Sequence, residues 1–521
     1  MFFNKKEDEE QSINTQLSNK SNLGRGYTSI ASAKEELFKE HVEFDPLEYI
    51  NTKEQFFGAE HSVSKPFYIP FEDSTHLLYV GATRSAKGVA LAHRAVEAMR
   101  QSKGLIIIDP KRDDFLPQVI IEELSRQGRP STDILIASWP NNFGYSAFNH
   151  DDTYLEFSNK LIVALDLAPT GDPKADYYRR NERTLLKSII KIYFNSQKLL
   201  NISFEHNYKS LVNFIKYLLS DMQTLQAYYR ESAKNKPNYD LLENLNALYF
   251  DKNALNNLEL EQEDVSTLRG LYQTVLELCD SNIYTNINLD SALYDNKIIY
   301  IQADQLDDAS LKMLKMLQVD IIQKAKKRTA NAIVIADEVS FYATKTLADS
   351  LSTIAGFGVH YILAMQDLAQ LHDDVIKKPI LSNCQTKLFY KSSDIETLEY
   401  IQTLSGKELV TQISKQNETT TIRQTQEDYL NITRLRALKR DRVAVLICEA
   451  LNAPVIVQTW HIEVEHKFNW SKYITTFNEV KVSQLKKLYK VKEAQEEELY
   501  HDKNKDDKND EKQEKVEEMK I

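Results

Sequence analysis

The sequence predicts an α/β fold, with a mainly parallel sheet and an all-α segment inserted into it. Three observations carry that reading. Short apolar runs recur along the chain, helical patterns separate them, and one long stretch between about 151 and 290 has helical patterns but no convincing strand. The runs are HLLYV (76–80), LIIID (105–109), DILIA (133–137), KIIYI (297–301), AIVIA (332–336), VHYILAM (359–365), KLFY (387–390) and RVAVLIC (442–448). Each is rich in Ile, Leu and Val and mostly apolar on both faces, which is how buried parallel strands read. GVALAHRAVEAMRQ and DASLKMLKMLQVDIIQKAKK lie between them with helical periodicity. Strand and helix in alternation build a parallel sheet covered by helices.

Taken in order, residues 1–73 read as an amino-terminal arm without membrane helices, polar and charged over its first 45 residues. The first part of the α/β domain follows at 74–150. The all-α insertion covers 151–290, with stripes such as TLLKSIIKIYFN and TLRGLYQTVLELC that imply a packed bundle. The second part of the α/β domain is expected at 291–465. A helix and a charged tail, net acidic and either solvated or a docking segment, close the chain at 466–521.

Composition narrows the function classes. Of 521 residues, 42% are hydrophobic and 27% charged, so a sizeable core forms and wholesale disorder is excluded. Two or three globular parts are expected at that length. Thirteen glycines are few, which argues against a many-turned β-sandwich. The net charge of −11 supplies no global field for nucleic acid, so any contact with DNA has to be a local basic patch. Cys279, Cys384 and Cys448 lie far apart without C-x-x-C spacing. They form neither a disulfide scaffold nor a Cys-rich zinc module. The start MFFNKKEDEEQ is no signal peptide, and no apolar run reaches a membrane span. A cytoplasmic chain is expected.

HLLYV leads into Gly81-Ala82-Thr83-Arg84-Ser85-Ala86-Lys87-Gly88-Val89 and then a strong helix former. Strand, loop and helix in that order are the setting of a phosphate-binding loop, whose backbone N–H groups and helix amino terminus face an anion. Residues 81 and 83–89 are the candidate nucleotide-binding residues, with Lys87 placed to reach the β- and γ-phosphates. Against G-x-x-x-x-G-K-[ST], Ala86 replaces the second Gly and Gly88 replaces the hydroxyl that ligates Mg²⁺. The Ala86 methyl either crowds the phosphate or opposes a left-handed dihedral angle. By itself the loop is equally an ordinary βα turn bearing a lysine.

A second element adds to it. AIVIA ends in Asp337-Glu338, two carboxylates at the carboxyl end of a buried strand, where open α/β sheets bind ligands. Asp337 is the candidate for the magnesium shell, and Glu338 for orienting or deprotonating the attacking water. Gln366 ends the next run, where a polar side chain can sense the γ-phosphate. Lys87, Glu338 and Gln366 are the candidate catalytic residues of a P-loop nucleoside triphosphatase using ATP and Mg²⁺.

HLLYVGATRSAKGVA, IIIDPKRDD, GYSAFN, IVIADEVSF, AGFGVHYILAMQDLAQL and ILSNCQTKLFY occur in the order and spacing of the type IV coupling proteins. The chain resembles the TraG/TraD group of RecA-like ATPases, relatives of the FtsK/HerA pumps, over roughly 74–460. That resemblance implies a RecA-like P-loop domain and a homo-hexamer at the cytoplasmic base of a conjugation or secretion machine, in peripheral contact with the inner-membrane complex. It implies DNA, a relaxase–DNA complex or secreted proteins as substrates, and type IV secretion channel proteins and ATPases as partners. It assigns a phosphate role to Lys87, a magnesium role to Asp337, a catalytic role to Glu338 and a sensor role to Gln366. It places Asp109 and Lys111 in an Asp-Pro-Lys element at the nucleotide edge, where Arg112 stands for an expected Gly. Coupling proteins usually begin with two membrane helices, and none are visible here. The helix leading to Gly356-Phe357-Gly358 lacks the arginine that often acts across the subunit interface. Two alternatives stay open: a docking subunit that binds nucleotide but hydrolyses it weakly, and a cytoplasmic DNA translocase of the FtsK/HerA kind.

Overall fold

All eight apolar runs are strands in the computed structural model of the chain. The structure describes residues 44–60, 65–139, 143–149, 151–169, 172–200, 208–212, 215, 269–273, 275–278, 284–285, 287–416, 419–438 and 442–470. The runs correspond to β3 (Leu77–Val80), β4 (Gly104–Asp109), β5 (Ile134–Ser138), β8 (Ile298–Gln302), β9 (Ala332–Ala336), β10 (Val359–Met365), β11 (Thr386–Tyr390) and β14 (Val443–Cys448). The other strands of the sheet are β1 (Glu54–Glu60), β2 (Lys65–Pro70), β6 (Phe143–Gly144), β7 (Tyr284–Thr285) and β15 (Val455–Gln458). A separate two-stranded ribbon pairs β12 (Lys407–Gln416) with β13 (Thr419–Asp428).

The sheet order is β2-β1-β15-β14-β11-β3-β10-β9-β4-β8-β5-β6-β7. Its centre, from β11 to β5, is parallel throughout. Full burial on both faces explains the unbroken apolar runs: every residue of β3, β4, β8, β9 and β11 is buried. One strand departs from expectation. RVAVLIC reads like its parallel neighbours, yet β14 runs antiparallel to β11 and opens an antiparallel flank through β15, β1 and β2.

That flank corrects the reading of 1–73 as an arm. Residues 54–60 and 65–70 form an antiparallel pair within the main sheet, and β1 pairs on its other side with β15 and buries Phe56 and Phe57. Gly58 makes the join possible: its φ is +97°, and a Cβ there would meet the Gln458 carbonyl oxygen at 2.1 Å. The helix Lys87–Arg100 grips the same strand. Arg94 donates to the Phe56 carbonyl, and Glu97 Oε1 accepts the Phe56 N–H at 3.0 Å. Burial pushes the Glu97 carboxyl up to about 7, against the pull of Arg94. The helix that follows the phosphate loop is thus tied to the flank.

Among its described residues the insertion at 151–290 is mainly helical, in Tyr154–Ala164, Pro173–Leu200, 208–212, 269–273 and 275–278, with turns such as 165–169 and the two residues of β7 beside them. Its base belongs to the core and is not a free-standing bundle. Phe157, Leu161, Leu185, Ile189 and Tyr193 join one hydrophobic cluster with Met313 and Leu317 of the helix Asp308–Lys327. A buried polar knot adds to the join. Asp320 accepts from Tyr145 and from Asn149 (2.9 Å) and pairs with Lys160 at 2.7 Å. Tyr145 and Asn149 belong to GYSAFN, so that segment fastens the insertion to the sheet.

Among the described residues, no helix is long and apolar enough to cross a membrane. Cys384 and Cys448 are buried and free. The chain divides into two units, Met1–Phe468 and Asn469–Ile521, and only 469–470 of the second are described. The terminal helix and tail, the first part of the arm and Cys279 lie outside the described residues.

Candidate nucleotide site

Four neighbouring strand tips build the site. β3, β10, β9 and β4 lie side by side in the sheet, and their carboxyl ends deliver Lys87, Gln366, Glu338 and Lys111. Parallel pairing brings residues far apart in sequence to one edge.

The phosphate loop leaves β3 at Gly81, whose N–H donates to the Met365 carbonyl at 3.2 Å, and Ala82 N–H reaches the Lys391 carbonyl at 3.3 Å. Gly81 sits too close to β11 for any side chain, since a Cβ would lie 2.5 Å from Tyr390 Cβ. Thr83 and Arg84 are exposed, Ser85 is buried, and Val89 is half-buried in the first turn of the helix. Arg84 and Ala86 are left-handed, with φ of +63° and +76°. The dihedral reading of the Ala86 departure is therefore the one that applies: this is a position suited to Gly, and the alanine carries a cost of about 1–2 kcal/mol. At Gly88 a Cβ would meet nothing within 4 Å, so the missing hydroxyl is not excluded by space.

Lys87 starts the helix with its side chain buried. Nζ donates to the Met365 carbonyl at 2.8 Å and lies 3.6 Å from Glu338 Oε1. Burial holds its ammonium below the ordinary lysine value, while Glu338 and Asp337 pull the other way.

Glu338 is the centre of the arrangement. It is fully buried and left-handed, with φ of +45°. Its Oε1 is contacted by Lys87, by the Lys111 ammonium and by Gln366 Nε2 at 3.4 Å. Its Oε2 is buried without a hydrogen-bond partner. Asp337 stands beside it, with one carboxylate oxygen accepting the Glu338 N–H at 2.9 Å. Burial pushes the Asp337 carboxyl up to about 6, Lys111 opposes that shift, and Glu338 adds to it. Gln366 is braced by Gln370, which accepts its backbone N–H at 3.2 Å.

The residues singled out in the sequence thus meet at one edge. Sequence reasoning underrated Lys111, which it put near the nucleotide without a partner. Asp109 is why it points inward. Oδ1 accepts the Lys111 N–H at 2.9 Å, and Oδ2 accepts the Asp113 N–H at 2.6 Å and the Tyr300 hydroxyl at 2.7 Å. Burial raises the Asp109 carboxyl, and Tyr300 opposes that shift. Arg112 is left-handed at φ +60°, so the turn keeps the conformation that an expected Gly would favour. An Asp two residues before a Lys was the available signal. Among the described residues, no cluster of three or more His, Cys, Asp or Glu could hold a metal ion.

Comparison with known proteins bears on the fold that carries this site. Residues 331–445, from β9 to β14, match the family described as "TraM recognition site of TraD and TraG". No curated protein sequence matches the chain. The unbound bacterial conjugative coupling protein TrwBdeltaN70 superposes with a TM-score of 0.56 at 16% identity, over 81% of this chain and 92% of that one. TrwB in complex with the ATP analogue ADPNP gives 0.55 at 16%, over 81% and 92%. TrwB in complex with ADP and Mg²⁺ gives 0.54 at 15%, over 86% and 95%. The RecA-like P-loop fold with a helical segment, expected from the sequence, is the fold observed. In sequence over 331–445, and in fold over most of its length, the chain is similar to the type IV coupling proteins of the TraG/TraD group.

Proposed function

We propose that the chain is the coupling ATPase of a conjugative transfer or type IV secretion system, driving DNA–relaxase or protein substrates to the channel. The observation that carries this reading is the divided environment of Glu338. One carboxylate oxygen is held by Lys87, Lys111 and Gln366, and the other is buried and unpartnered. A carboxylate so directed has one lone-pair face left to take a proton from water.

The residues fit ATP and Mg²⁺. Gly81 through Val89 supply a loop that ends in the amino terminus of the helix Lys87–Arg100, and the Ser85 hydroxyl is buried without a partner. Lys87 would exchange the Met365 carbonyl for phosphate oxygens. Asp337 would hold the ion from the carboxyl end of β9, and Gly88 offers no side-chain oxygen to it. Bound there, Mg²⁺ neutralises charge on the phosphates. Glu338 Oε2 would orient the attacking water and accept its proton, while Gln366 reports the state of the γ-phosphate.

The matched segment supports a relaxosome protein of the TraM kind as a partner of 331–445. A homo-hexamer at the cytoplasmic face of the inner-membrane complex belongs to the same reading. A second reading, a docking subunit that binds nucleotide without turning it over, is favoured by Ala86 in a Gly conformation. Nucleotide binding by wild type and Lys87→Ala tests the site: the variant should lose ATP affinity at least about tenfold, and unchanged affinity would show that the loop is not a phosphate site. Turnover with and without single-stranded DNA separates the two readings.

A further inference from the structure

We propose that Lys111 is a positioning residue that keeps Glu338 directed while Lys87 and Gln366 engage phosphate. This rests on the nucleotide-site reading above and adds a role to it. Three groups contact Glu338 Oε1, and two of them are committed elsewhere during the reaction. Lys87 loosens its hold on the carboxylate as its three N–H groups turn to phosphate oxygens. Gln366 cannot sense the γ-phosphate and keep its 3.4 Å contact. Without Lys111, their departure would leave a fully buried carboxylate without a cation, which a protein interior tolerates poorly.

Lys111 is built to remain. Its backbone is held by Asp109 Oδ1, and Asp109 is held in turn by Tyr300 and by the Asp113 N–H. Its side chain is one-third exposed, so the ammonium stays hydrated on one side while it contacts Glu338 on the other. It arrives from β4, with β9 and β10 between that strand and the phosphate loop on β3, so its anchor is separate from that of Lys87. A cation fixed on Oε1 leaves the unpartnered Oε2 free to accept from the reacting water.

The test compares Lys111→Met and Lys111→Arg with wild type in steady-state ATP hydrolysis. Lys111→Met should lose on the order of 100-fold in kcat, with KM for ATP changed by less than about threefold, and Lys111→Arg should recover much of the loss. A KM that rises while kcat holds, or turnover within about twofold of wild type, would overturn the proposal. Absent ATP binding by wild type is a failure of the nucleotide-site reading and shows in the Lys87→Ala comparison. If the chain binds ATP without turnover, thermal unfolding of K111M, E338Q and the double variant decides. K111M should lower Tm more in the wild-type background than in the E338Q background, and equal losses would overturn the pairing.

Discussion

Ala86 accepts the Ala90 N–H on its carbonyl oxygen at 3.1 Å and so opens the phosphate-loop helix, although its own φ is +76°. An L-residue that starts a helix from the left-handed region carries strain that glycine does not.

Ala86→Gly should therefore stabilise the protein. Release of about 1–2 kcal/mol is partly offset by the greater freedom of glycine in the unfolded chain, for a net gain of about 1 kcal/mol. Thermal unfolding checks it. A lowered Tm would contradict the left-handed assignment.

Gly88→Ser should be accepted without rearrangement, because its Cβ enters open space in the first helical turn. Helix propensity favours the change by roughly 0.5 kcal/mol. The hydroxyl follows Lys87 where P-loops carry their Mg²⁺ ligand. The Mg²⁺ concentration for half-maximal nucleotide binding should fall, and no change would count against the placement of the ion.

His76 should make the fold acid-sensitive. Its Nδ1 accepts the Tyr361 N–H at 2.9 Å and its Nε2 donates to the Leu351 carbonyl at 3.0 Å, which requires the neutral ring. Burial lowers it to about 4, and nearby His360 adds to the shift. Above pH 6.5 the ring is neutral folded and unfolded, so its contribution is fully present. As pH falls from 6.5 towards 4, only the unfolded state takes the proton and stability is lost, on the order of 2–3 kcal/mol. His93, at the Trp460 carbonyl and lowered to about 3 by burial, acts in the same direction. His76→Gln should flatten the decline of Tm between pH 6.5 and 4, and an unchanged slope would contradict the account.

The parallel centre of the sheet was legible because its strands are buried on both faces and most are rich in Ile, Leu and Val. The antiparallel flank was not. β1 buries Gln55 and Glu60 among its aromatics, so EQFFGAE shows no clean pattern in an otherwise polar segment. The β12–β13 ribbon is rich in Thr, Gln and charge, and presents no apolar run to detect. Lys87, Asp337, Glu338 and Gln366 stood out because each follows a strand. The contact of Lys111 with Glu338 spans 227 residues. It depends on β4 lying beside β9 and on the turn set by Asp109, and neither follows from local spacing.

The claim that Glu338 is the group acting on water is tested most directly by Glu338→Gln, with ATP binding and turnover measured on the same preparation. Glutamine keeps the shape and the place between Lys87, Lys111 and Gln366 but cannot take a proton. The account predicts nucleotide affinity within a few-fold of wild type and turnover lower by roughly 100-fold or more. Turnover equal to wild type, with affinity intact, would contradict it.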